Sequence, residues 1–130
     1  MKPYEHLPHR HPFVMLDTAE VIEENRRAKG TRRVTMSDPI VLPDGTMPQA
    51  YIIEAMAQIS GIASGRKGGS LFAAITGLIF NGTARAGETL EVESSVERNI
   101  GGLYSFAVRA IIAGNIIAEG GILLHFDESA

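Results

Sequence analysis

Cysteine is absent from the 130 residues. A chain without thiols has no disulfide, no thiolate nucleophile and no cysteine-bound zinc. An excess of one charge is also lacking. Twelve Lys and Arg stand against 15 Asp and Glu, for a net charge of −3 and a pI near 5.8. The basic pairs Arg26-Arg27, Arg32-Arg33 and Arg66-Lys67 are scattered, so no nucleic acid is expected as partner. No apolar run reaches the roughly 18 residues of a membrane span. The opening "MKPYEHLPHRHPF" is rich in proline and histidine and lacks the apolar stretch of a signal peptide. A cytoplasmic protein with no membrane span is the expectation. Proline disappears after Pro48, whereas twelve of the 14 glycines follow it. Rigid loops therefore belong to the first third, and the remainder reads as a helix followed by glycine-punctuated strands.

What is present suits an ordinary globular domain, with 45% hydrophobic and 21% charged residues. No repeat or linker interrupts it, so residues 1–130 read as a single domain. "FVMLDTAEVIE" (13–23) is β-rich, and "GTRRVTM" (30–36) returns beside it after the polar loop "ENRRAK". "MSDPIVLPDGTMP" (36–48), with three prolines, is a long ordered loop. A helix is predicted from Gln49 to Ser64, starting after Pro48 and stopped by Gly65. Everything beyond is β. In "ETLEVESSVER" (88–98), Leu90, Val92 and Val96 face one way and Glu91, Glu93 and Glu97 the other. "LYSFAVRAIIA" (103–113) and "IIAEGGILLHF" (116–126) flank a hairpin turn at Gly114-Asn115. The order implies α+β, an antiparallel sheet against one helix.

That helix is apolar almost all round, through Ile52, Ile53, Ala55, Met56, Ala57, Ile59 and Ile62. This is the pattern of a buried helix, and one flat sheet covers only one side. Either a curled sheet or a second subunit supplies the other wall. Tyr51, Glu54, Gln58 and Gly61 share one narrow stripe. Glu54 is that stripe's single carboxylate, with no Lys or Arg beside it. It reads either as a solvated helix residue or as a buried general acid or base. "HLPHRHP" does not read as a metal site, because Pro8 and Pro12 break helical spacing and no acidic cluster accompanies it. "GRKGGS" lacks the spacing of a phosphate loop, and no cofactor is expected.

Two segments carry a family resemblance. "LPHRHPFVMLD" (7–17) and "MPQAYIIEAMAQISG" (47–61) resemble the opening and the helix of the hotdog-fold 3-hydroxyacyl-acyl carrier protein dehydratases, FabZ- or FabA-like. "ARAGETLEVE" (84–93) and "AGNIIAEGGILLHF" (113–126) are similar to later motifs of the family, in the right order. The resemblance implies a sheet curled around the helix, in a dimer with acyl-thioester sites at its interface. It implies an acyl-carrier-protein or acyl-CoA thioester as substrate, the acyl carrier protein itself as partner, and a homodimer or a heterodimer with a paralogue. Glu54 matches the family's catalytic acid, and Gln49 matches the residue whose peptide N–H polarises the thioester carbonyl.

The departure falls on the family's loop histidine, fourteen residues before the acid, where this chain has Ile40. With Ile40 there, Glu54 is left as the side-chain acid/base, with His9 or His11 as helpers if the N-terminal segment reaches the pocket. Three readings follow: a weak or degenerate dehydratase, a non-catalytic partner subunit of an active one, or a hotdog thioesterase.

Overall fold

The computed structural model describes residues 14–66 and 70–126, and of residues 71–73 the backbone alone. The expectations placed on His9 and His11 lie outside the described residues. Chain order is β1 (Thr18–Glu23), β2 (Arg27–Arg33), β3 (Thr46–Met47), α1 (Gln49–Ser64), β4 (Ser70–Phe80), β5 (Ala84–Arg85), β6 (Thr89–Ile100), β7 (Leu103–Ile112) and β8 (Asn115–Phe126). Six strands form one antiparallel sheet in the order β1-β2-β6-β7-β8-β4, and β3 pairs with β5 beside it.

The strands alternate as a sheet with one wet face must. Along β7, Tyr104, Phe106, Val108, Ala110 and Ile112 are buried, and Leu103, Ala107 and Arg109 are exposed. Buried residues from β6, β7 and β8 meet Ile52, Ala55, Met56, Ile59, Ile62 and Ala63 of α1 in one core. The helix sits across β6, β2 and β7. Close approach is permitted by small residues in register beneath it: Ala19, Gly30, Val92, Ala110 and Ala118 lie side by side across five strands. A Cβ on Gly30 would stand 2.8 Å from the Thr18 carbonyl oxygen and 3.2 Å from Ile59 Cδ1, too tight without backbone movement. One row away, on the outer face, Glu20, Lys29, Glu93, Arg109 and Glu119 alternate in sign across the same five strands. Within that row Arg109 Nη2 donates to Glu93 Oε2 at 2.6 Å, and Lys29 Nζ lies 3.7 Å from Glu20.

Several boundaries differ from the sequence expectation: β1 starts at Thr18 within 13–23, and β2 ends at Arg33 rather than Met36. β2 begins at Arg27, so "ENRRAK" is a three-residue turn, with Asn25 at φ 59°, followed by strand. Its inward residues Ala28 and Gly30 carry no apolar bulk to announce a strand. The β7–β8 turn is Ala113-Gly114, both at positive φ (49° and 81°), with Ile112 paired to Asn115. A two-residue turn of this hand matches sheet twist and needs left-handed backbone at both central positions. No described helix is long and apolar enough to cross a membrane.

Candidate active site

Pro48 (φ −56°, ψ 144°) ends the loop and opens α1. Its fixed φ and missing N–H suit a helix start. No side chain caps this end and no acidic residue occupies the first turn. The first peptide N–H groups of a helix have no partner within the helix. Gln49, exposed at that end, therefore carries an N–H with no intrahelical partner at the positive end of the helix dipole. Gly65, at φ 70°, closes the far end, its N–H donating to the Ile62 carbonyl at 3.1 Å.

Glu54 lies on the side of α1 that the sheet leaves uncovered and is half-buried. One turn on, Gln58 is 2% exposed. Its Nε2 donates to Glu54 Oε1 at 3.3 Å, while its Oε1 accepts the Met15 N–H at 2.8 Å. The Met15 N–H thus turns the amide so that its NH₂ faces the carboxylate. A helix residue that reads from sequence as a lone carboxylate is a hydrogen-bonded one, tied through Gln58 to the chain entering β1. That tie spans 43 residues in sequence and has no local sequence signal.

Ile40 is half-buried and packs against the core. Its N–H donates to Asp38 Oδ1 at 3.2 Å, and Asp38 Oδ2 pairs with Arg32 Nη2. Arg32 also donates to the Val14 carbonyl at 3.3 Å. Arg32 and Asp38 side chains are only 12% and 11% exposed, so this ion pair fixes the Ile40 loop against both β2 and the N-terminal entry. The next turn is held by Leu42 N–H to Thr46 O at 2.9 Å. There Asp44 accepts from Thr46 Oγ1 at 2.6 Å and Thr46 N at 2.9 Å. These bonds, the hydroxyl's first, hold the exposed Asp44 carboxyl below its ordinary value of 3.8. An isoleucine side chain carries no proton that could be exchanged, and the loop around it contributes backbone and ion-pair order only.

The structure thus brings Gln49 and Glu54 onto one helix and anchors Ile40 in the loop that leads to it. Among the described residues no three His, Asp or Glu side chains converge as metal ligands. A concavity of about 560 Å³ lined by Thr18, Glu20, Lys29, Thr31, Glu91 and Glu93 lies on the outer sheet face, away from α1.

No family model matches the chain. A curated 3-hydroxyacyl-[acyl-carrier-protein] dehydratase FabZ of Thermomicrobium roseum is 37% identical over 131 residues, spanning 92% of this chain and 86% of the relative. The chain belongs to the 3-hydroxyacyl-acyl carrier protein dehydratase family. It is a dehydratase-like hotdog protein, and its family is one of lyases of fatty-acid biosynthesis. Solved structures agree on the fold. The dehydratase heterocomplex ApeI:P from Xenorhabdus doucetiae matches with a TM-score of 0.87 at 17% identity, covering 99% of this chain and 93% of that one. A hypothetical thioesterase with coenzyme A from Streptococcus pneumoniae matches with a TM-score of 0.70 at 11% identity, covering 85% and 87%. The expected α+β hotdog, an antiparallel sheet wrapped on one long helix, is the fold observed.

Proposed function

We propose that this chain binds 3-hydroxyacyl thioesters on an acyl carrier protein and catalyses their dehydration weakly, with Glu54 as the acid/base of the site. The observation that carries the reading is Glu54 itself. It is a half-buried carboxylate held by Gln58, on the helix whose uncapped N-terminus suits the thioester carbonyl. Charge developing on that oxygen is stabilised by the Gln49 N–H and the helix dipole. The site works opposite Ile40, and loss of one positioned acid or base typically lowers a rate about 10²–10⁴-fold.

The purified protein should turn over 3-hydroxyacyl and crotonyl thioesters slowly, and Glu54→Gln should remove that turnover. Full activity in Glu54→Gln would exclude Glu54 from the chemistry. Turnover at the level of an ordinary enzyme would refute the weak-activity reading.

A second reading is a non-catalytic partner subunit of an active dehydratase. It is favoured by Ile40 and by the likeness to a chain from a dehydratase heterocomplex. It predicts that the chain co-purifies with a histidine-bearing paralogue when the two are co-expressed, and failure to associate would end it. Thioesterase action, the remaining alternative, would release free thiol from acyl-CoA.

A further inference from the structure

Dehydration needs two proton movements. One proton leaves C2 beside the thioester, and another must reach the departing 3-hydroxyl. Of the three candidates Gln49, Ile40 and Glu54, Glu54 alone carries a side-chain acid or base. The same helix face carries one more. Tyr51 stands three residues before Glu54, a spacing that makes the two neighbours on a helix surface, about 5–6 Å apart at Cβ. Its ring is half-buried against the core. Among the described residues its hydroxyl has no hydrogen-bond partner, although a buried tyrosine hydroxyl usually has one. Helical side chains lean toward the helix N-terminus. For Tyr51 that direction leads to Pro48 and Gln49, the end at which the thioester carbonyl is polarised.

We propose that Tyr51 is a second catalytic residue, a general acid whose hydroxyl protonates the departing 3-hydroxyl while the Glu54 carboxylate takes the C2 proton. The assignment rests on the dehydration reading above. The Gln58 NH₂ already donates to Glu54 Oε1, as suits an accepting carboxylate. In the step, the C2–H electron pair forms the C2=C3 double bond and the C3–O bond breaks. The oxygen leaves as water with the tyrosine proton. The phenolate is then reprotonated by the carboxyl of Glu54, directly or through that water, and the site returns to its starting state.

Tyr51→Phe keeps the ring and its packing and removes an oxygen that has no partner among the described residues, so its thermal midpoint should match that of the unsubstituted protein. Two probes are compared, 3-hydroxybutyryl-pantetheine and 3-fluorobutyryl-pantetheine. Fluoride departs as an ion and needs no acid. Tyr51→Phe should lower kcat on the hydroxy substrate about 10²-fold or more, the scale of a lost general acid, and on the fluoro substrate by less than about threefold. An equal loss on both would assign Tyr51 a packing role and overturn the proposal. Unchanged turnover of the hydroxy substrate, with Glu54→Gln inactive, would overturn it too while leaving the dehydration reading intact. Turnover by neither the unsubstituted protein nor its complex with a histidine-bearing paralogue would remove that reading, and this assignment with it.

Discussion

Ile40 occupies a backbone position that is already fixed, through its N–H bond to Asp38, and lacks only a proton-carrying side chain. Replacing it therefore tests chemistry without rebuilding the loop. Ile40→His restores an imidazole fourteen residues before Glu54, and imidazole titrates near neutrality. Turnover of 3-hydroxyacyl thioesters by the purified protein should rise by about 10²-fold, the low end of what a positioned acid or base supplies. No rise would mean that the loop does not face the Glu54 stripe. The comparison also separates two origins of weak activity, a missing group and a misplaced one. Glu54 and Gln49 are legible in sequence because a contiguous motif carries them. Gln58 is legible only as a member of the stripe. Its role as the amide between Met15 and Glu54 is invisible, since nothing local marks a contact across 43 residues.

Among the elements, the loop before α1 depends on a pair that no periodicity announces. Arg32 ends in β2 and Asp38 lies in the loop, and both side chains are nearly buried. Removing one partner of such a pair leaves an uncompensated charge away from water, whereas removing both does not. Asp38→Ala should lower stability by about 3–5 kcal/mol, read as a shift of the urea midpoint. Arg32→Met with Asp38→Leu should recover much of that loss. A small effect of Asp38→Ala would mean that the loop is held by its turn hydrogen bonds alone. The strands show the same contrast between patterned and unpatterned signals. β6 alternates apolar and polar residues, β7 and β8 are rich in large apolar ones, and all three are readable from sequence. β2 places Ala28 and Gly30 inward, because Ile59 comes down on that row. A strand selected for small size gives no hydrophobic period.

For the whole molecule, the open question is what covers the far edge. Among the described residues β4 pairs with β8 alone, and α1 lies across β6, β2 and β7 instead. Ile75, in register with the buried Ile122 on the inner face, is 43% exposed, and Ile79 is 61% exposed. A long apolar edge strand left open invites uncontrolled pairing with other chains. A two-fold dimer in which β4 pairs with its own copy closes both edges at once, because each supplies the same patch to the other. It would also bring a second chain toward the side of α1 turned away from the sheet, where Tyr51 and Glu54 are half-buried. We predict a dimer by sedimentation, with Ile75→Asp shifting it toward monomer. The substitution falls on an exposed side chain, so the loss should appear in association before it appears in folding. Glu54-dependent turnover should fall in parallel if the second chain walls the site. A monodisperse monomer of the unsubstituted chain would refute the homodimer and leave a paralogue as the occupant of this edge.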